Sequence, residues 1–308
     1  MDMTDMTRAA VSRRHFLQLA GAGMLALTGT ALTGCDNSTS GEDSDKGSKL
    51  AAIKSRGHLN AGVKKDVPGY GYYDTAKGRF EGMEVDLCYQ IAAAVFGVSY
   101  KEARAQELVE FTDVTPKTRG PLIDNGQLDV VAATYTITDE RKKSWDFSTP
   151  YYTDAVTVLV EKADGITDLS GLVGKKIGVS TGSTSAYALV KAMTEKGLLG
   201  DYALPETSAD FDISSFDSNG TSFEQFGDYP AISNAMTAGT IDAFCVDKSI
   251  LATYKTDDRD YITDTFSPQE YGVATKKDSP LSSKIDELIK GWLEDGTIDG
   301  LITEFGLN

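Results

Sequence analysis

Two stretches of this chain, more than a hundred residues apart, follow the same plan. The first, from Lys117 to Pro150, reads KTRGPLIDNGQLDVVAATYTITDERKKSWDFSTP; the second contains NAMTAGTIDAFCVDKS. Each carries an apolar-faced helical segment up to a glycine, Gly126 or Gly239, and glycine suits a helix stop because it adopts positive φ without a Cβ penalty. Each then runs into a short apolar stretch that reads better as a buried strand than as a helix. Eight positions beyond the glycine a polar group follows, Thr134 in the first copy and Asp247 in the second. The pattern predicts two similar α/β lobes whose strand ends point at a common cleft, the place where open α/β sheets bind ligands. One lobe would bring a cation and hydroxyls, the other an anion.

The cation is Arg141. Thr138 reads as an N-cap and Asp139 and Glu140 suit the positive end of a helix, so an arginine in that first turn is locally misplaced by some tenths of a kcal/mol. A surface ion pair would explain it. So would an anion clamp, since Thr134 and Thr136 leave the same strand end and a guanidinium receives a planar carboxylate well. In the second half, Gly182-Ser183-Thr184-Ser185 stands before another helix, whose free backbone N–H groups favour an anion; an ordinary N-cap is the alternative.

Composition excludes several classes. A chain of 308 residues that is 41% hydrophobic and 25% charged can build two lobes with separate cores and is too polar for many membrane spans. A formal net charge of -16, with no basic cluster, argues against nucleic-acid binding. Beyond the first residues His58 is the single histidine, no nucleophile motif surrounds it, and Cys88 and Cys245 fall within an apolar helix face and a strand, so both read as small core residues. A metal site or a Ser-His-Asp triad has little to be built from.

The N-terminus reads as an export signal. Ser12-Arg13-Arg14-His15-Phe16-Leu17 is a twin-arginine pattern, Leu17 to Thr33 is mildly apolar, and Leu32-Thr33-Gly34-Cys35 resembles the lipobox after which a cysteine carries lipid. Residues 1–34 would be removed and Cys35 would anchor the chain at the outer face of the cytoplasmic membrane or on the periplasmic side of the envelope. An uncleaved anchor helix is the other reading. Residues 35–49, almost devoid of apolar side chains, are expected to be a flexible tether.

Taken in order, the strings GVKKDVPGYGYYD, FEGMEVDL, KTRGPLIDNG, TYTITDERKKSWDFSTPYY, IGVSTGSTS, VDKSIL and SPQEYGVATKKDSPL resemble the extracytoplasmic solute-binding proteins of polar amino-acid ABC transporters, family 3. GVK, TRGP and VDKS resemble the aspartate/glutamate-binding branch. The resemblance implies a two-lobed periplasmic-binding-protein-like (type II) α/β fold with two crossing hinge strands. Lobe one would comprise residues 50–153 and 270–308, lobe two residues 154–269. It implies that Arg141, with Ser183 and Thr184, receives the α-carboxylate of an amino acid. Asp247, helped by Thr134 and Thr136, would accept its ammonium. Lys64 and Arg119 would meet an acidic side chain, with Tyr271 nearby. No catalytic residue, metal or cofactor is implied; the partners would be an amino acid, a permease and its ATPase. A binder of another polar amino acid such as glutamine, a dehydratase-type enzyme on the same fold and a sensor without a transporter are the alternatives. Two departures stand out: residues 200–222 are long and acidic, and 101–114 look extended just before Arg119.

Overall fold

The computed structural model describes residues 41–308, with side chains from Lys49 onward. The twin-arginine motif, the apolar segment after it and Cys35 lie outside the described residues. A helix spans Gly41–Arg56, so it begins inside the stretch expected to be a tether. The cause lies at its far end, where Ile53 is fully buried, Leu50 packs beside it and Lys49 pairs with Asp129 at 2.8 Å. Docking of that end fixes the costly first turn, and propagation back through a polar segment is then cheap. No helix among the described residues is long and apolar enough to cross a membrane.

Two sheets organise the chain. The first has five strands in the order Val109–Asp113, Leu59–Val63, Val130–Val131, Ala274–Lys276, Trp145–Phe147. Its first three are mutually parallel and Ala274–Lys276 is antiparallel to both its neighbours. The second runs Asp217–Ser218, Thr221–Phe226, Lys176–Ser180, Ala243–Asp247, Tyr152–Glu161, Arg259–Tyr261, and Phe266–Tyr271 also pairs with Tyr152–Glu161. Strands that are buried on both faces carry continuous apolar runs, as Ala243-Phe244-Cys245-Val246 does. Cys88 and Cys245 are both buried and free.

The chain passes from the first sheet to the second along Tyr152–Glu161 and returns along Phe266–Tyr271. The two strands are antiparallel, with Tyr271 opposite Tyr152 and Gln269 opposite Asp154, and a bulge follows Phe266 where Ser267 takes φ 51°. Where they leave the first lobe, Tyr70, Tyr152 and Tyr271 form an aromatic cluster with ring centroids 5.3 to 6.0 Å apart. Tyr70 is thus hinge core, whereas Tyr72 and Tyr73 of the same loop are exposed. The helices Pro280–Glu294 and Thr297–Glu304 cover the first lobe through Leu281, Ile285, Ile289, Ile298 and Leu301. The acidic segment 200–222 packs on the second lobe by its own aromatic residues, Tyr202, Phe211 and Phe216, against Phe223.

A three-stranded hairpin sheet, Asp66–Val67, Gly71–Asp74 and Arg79–Glu81, leads into the helix Met83–Phe96. Gly82 makes that junction at φ 129°, and a Cβ there would stand 2.2 Å from the carbonyl oxygen of Tyr70. Neither the angle nor the contact tolerates a side chain. Gly82→Ala should therefore lower the unfolding free energy by roughly 2 to 4 kcal/mol in denaturant titration, and a loss below about 0.5 kcal/mol would contradict this packing.

Candidate functional site

Four strand ends meet between the two sheets: Lys64 past Leu59–Val63, residues 132–136 past Val130–Val131, Asp247 at the end of Ala243–Asp247, and the turn 181–184 past Lys176–Ser180. The two residues placed eight positions beyond a glycine, Thr134 and Asp247, are both buried.

Thr134 sits in the left-handed region at φ 43°, a strained conformation for a β-branched residue. Its amide donates to Glu84 Oε1 at 2.5 Å, and the Tyr151 hydroxyl donates to the same oxygen at 2.5 Å. Glu84 is wholly buried; burial pushes its pKa up to about 6 against the opposing pull of those hydrogen bonds and of Arg119 and Lys64. This glutamate, which the sequence reading passed over, holds the backbone that carries Thr134 and Thr136. Thr134 Oγ1 is buried without a hydrogen-bond partner among the described residues.

Arg119 starts the short helix Arg119–Asp124 and is 3% exposed. Its Nη1 donates to the carbonyl oxygens of Ala133 at 2.6 Å and Thr134 at 3.2 Å, and its guanidinium lies 3.6 Å from the centre of the Tyr135 ring. Its Nε has no partner, and no carboxylate among the described residues reaches it within 4.0 Å. Arg141 is placed by the Thr138 cap, whose hydroxyl accepts from the Arg141 amide at 3.1 Å. Its Nη1 donates to Thr136 O at 2.8 Å, its Nη2 reaches Gly182 O across the cleft at 3.3 Å, and it lies 4.9 Å from the same Tyr135 ring. Burial, and then the charge of Arg119, depress its pKa. Of the two readings of Arg141, the surface ion pair is excluded: no carboxylate lies within 4.0 Å among the described residues.

Lys64 is 1% exposed, its Nζ 3.3 Å from Asp66 Oδ1 and 4.4 Å from the centre of the Tyr229 ring. Desolvation lowers its pKa, opposed by Asp66 and reinforced by Arg119. The folded chain buries it against the second lobe.

On the other side, Asp247 Oδ2 accepts from the Tyr271 hydroxyl at 2.5 Å, and the same hydroxyl lies 3.2 Å from Asp154 Oδ2. Burial, with Asp154 next, raises the Asp247 pKa to about 7. Tyr271 thus stands behind Asp247 as its support on the return strand. Gln269, two residues earlier, is a further residue the sequence reading missed: its Oε1 accepts from Thr136 at 2.8 Å and from Thr184 at 3.1 Å, joining the lobes through the hinge. Its alternation with exposed Pro268 and Glu270, which puts it on the same buried face as Tyr271, was the available signal. At the opposite turn, Ser183 N–H is taken by Ser180 O at 3.1 Å, and the hydroxyls of Thr181 and Thr184 already donate to Phe226 O and Gln269 Oε1, so the donors left for an anion are the Ser183 hydroxyl and the first N–H groups of the helix Ser185–Glu195. Ser183 Oγ is buried without a partner among the described residues.

The lobes are in contact. Gly182, at φ 81°, lies so close to Lys117 that a Cβ would stand 2.9 Å from its Cα. Such an arrangement, with Arg119 and Arg141 on one lobe and Asp247 on the other, fits a small zwitterion held by both ends.

The sequence profile of the bacterial extracellular solute-binding proteins, family 3, matches residues 59–308. The chain is 31% identical over 275 residues to the ABC transporter glutamine-binding protein of Bacillus subtilis, covering 87% of this chain and 89% of that protein. It is 26% identical over 304 residues to the glutamate-binding protein of Corynebacterium glutamicum, covering 95% and 92%. Among solved structures, an ancestral arginine-binding protein bound to arginine is similar with a TM-score of 0.63 and 28% identity, over 81% of this chain and 98% of that one. An ancestral amino acid-binding protein described as a precursor of cyclohexadienyl dehydratase is similar with a TM-score of 0.64 and 27% identity, over 83% and 99%.

The electrostatics of Asp247 can be read directly. In carbon-13 NMR of the ligand-stripped protein, one aspartate carboxyl should titrate near pH 7 and vanish in Asp247→Asn. Ionisation of every aspartate near the ordinary value of about 4 would contradict the burial described here.

Proposed function

The chain belongs to the bacterial extracellular solute-binding proteins, family 3, and on that premise we propose that it captures aspartate or glutamate by closing its lobes and delivers it to a membrane permease driven by an ATPase. One observation carries the choice of ligand: Arg119 is buried and no carboxylate among the described residues pairs with it. A buried cation without a counter-ion costs several kcal/mol, and an acidic side chain arriving in the cleft removes that cost.

The roles follow from the placement. Arg141, with the Ser183 hydroxyl and the first N–H groups of the helix Ser185–Glu195, takes the α-carboxylate, while Gln269 holds Thr184 in that turn. Asp247, steadied by Tyr271, takes the ammonium from the other lobe, with Thr134 and Thr136 completing its shell. Arg119 and Lys64 meet the side-chain carboxylate. Each charged hydrogen bond contributes roughly 1.5 to 3 kcal/mol and a micromolar site needs about 8, so a few such bonds suffice even after the cost of closure. The chemistry ends at binding: nothing in this proposal requires turnover. Export by the twin-arginine signal and a lipid on Cys35 would hold the protein beside its permease.

Glutamine is the second reading, favoured by one contact. Lys64 already has Asp66 at 3.3 Å, so one of the two side-chain cations is internally compensated.

Thermal unfolding of protein freed of ligand by unfolding and refolding separates the two. A ligand at about 1,000 times its dissociation constant adds about 4 kcal/mol. Stabilisation by aspartate or glutamate, with glutamine at least about tenfold weaker, is expected; equal shifts with glutamine would move the assignment to the second reading. Arg119→Met should weaken glutamate by about 100-fold and glutamine much less.

Calorimetry supplies a pH test. A protonated Asp247 cannot accept an ammonium, and its pKa of about 7 in the free protein must fall on binding. Affinity should therefore be flat above about pH 7 and fall about tenfold per unit below it, as long as the bound pKa lies lower still. An affinity constant between about pH 8 and pH 5 would contradict the role given to Asp247.

A further inference from the structure

Asp66 has no part in the arrangement above except as a neighbour of Lys64, yet it takes part in two hydrogen bonds with the second lobe. It opens the strand Asp66–Val67, two residues beyond Lys64. One carboxylate oxygen lies 3.3 Å from Lys64 Nζ and the other accepts from the Tyr229 amide at 3.3 Å, at the start of the helix Tyr229–Thr237 in the second lobe. Its carbonyl oxygen accepts from the Tyr254 hydroxyl, also in the second lobe, at 2.9 Å. The Tyr229 ring in turn lies 4.4 Å from Lys64 Nζ. That helix already has its own cap, since Asp228 accepts from the Ala231 amide at 2.9 Å, so Asp66 is a second carboxylate at the same helix start, reaching it from the opposite lobe.

Resting on the reading of the cleft as an amino-acid site, we infer that Asp66 is a positioning residue that sets the choice between acidic and neutral side chains: it supplies the counter-charge that allows Lys64 to be buried when the ligand brings none, and fastens that ion pair to the second lobe at the start of the helix Tyr229–Thr237. Charge has to be compensated within a shut space. A carboxylate-ended ligand brings its own anion to Lys64 and Arg119. An amide-ended ligand brings none, and closure around it then depends on Asp66, because a buried ammonium with an aromatic ring as its sole neighbour is poorly compensated. Asp66 is thus what keeps the site open to amides, and its removal should narrow the site to acids.

The readout is the ratio of glutamate to glutamine affinity, measured by calorimetry on ligand-stripped protein, which a change in folding or in closure alone would leave unmoved. Asp66→Asn keeps the shape and one hydrogen-bonding oxygen and should raise that ratio about tenfold or more, chiefly by weakening glutamine. Tyr254→Phe loosens the same lobe contact without touching charge and should weaken both ligands by the same factor. If Asp66→Asn does not fold, Lys64→Met and the double variant Lys64→Met/Asp66→Asn carry the test. The single variant leaves Asp66 uncompensated and should lower the ratio, and the double variant should restore it toward the wild-type value. A ratio unmoved by Asp66→Asn, or equal in the single and double Lys64 variants, would overturn the inference while leaving amino-acid binding by the wild type intact. A wild-type protein that binds neither amino acid would overturn the functional reading as well.

Discussion

Three cations stand at the meeting of the lobes, and their burial is the constraint on which the rest of the structure depends. Lys64, Arg119 and Arg141 come from three separate segments of the first lobe, and the first two are almost inaccessible to water. Desolvating charge is costly unless it is paired or hydrogen-bonded, and the chain meets that cost unevenly. Lys64 has Asp66 and the face of Tyr229. The arginines have carbonyl oxygens and the ring of Tyr135, which hold the guanidiniums in place without neutralising them. The opposite lobe offers Asp247, whose own burial beside Asp154 keeps it ready to gain or lose a proton near neutrality. Each lobe thus carries a charge imbalance that the other lobe and a zwitterion together can relieve. On the proposed function, this imbalance favours closure of the lobes around a ligand.

The hinge is tied to that imbalance. Tyr271 and Gln269 both lie on the return strand; one supports Asp247 and the other joins Thr136 of the first lobe to Thr184 of the second. Gly182 and Thr134 do a different job. Gly182 allows the second-lobe turn to approach the backbone of Lys117, and the left-handed Thr134 is held against Glu84 so that its hydroxyl stays within the cleft wall. Strain of this kind, of order 1 to 3 kcal/mol at a residue, persists where the surroundings enforce it and is common at binding sites.

Much of this was legible in the sequence, for reasons that can be named. The helix, glycine, strand and polar-residue plan is a local pattern, so its two copies announced two α/β lobes and put Thr134 and Asp247 at strand ends. Thr138 announced the turn that carries Arg141 because an N-cap is a local hydrogen bond. What could not be read were the contacts made across the chain. Asp66 meets the amide of Tyr229, Glu84 meets the amide of Thr134, and Gln269 meets two threonines in different lobes, each over a sequence separation that no period records. The polar segment before Lys49 reads as a tether because composition has no term for docking, and the burial of Ile53 extends the helix back to Gly41. The aromatic loop divided in a way its composition could not reveal: Tyr70 joins the hinge core while Tyr72 and Tyr73 face outward.

On the proposed function, opposite charges on the two lobes are drawn together by a small amino acid placed between them. Small-angle X-ray scattering of the ligand-stripped chain tests it most directly, with and without saturating L-glutamate and, for comparison, L-glutamine. A radius of gyration that shrinks with the amino acid, and stays large with Asp247→Asn under the same conditions, is the result the account predicts. Scattering profiles that coincide with and without either amino acid would contradict it.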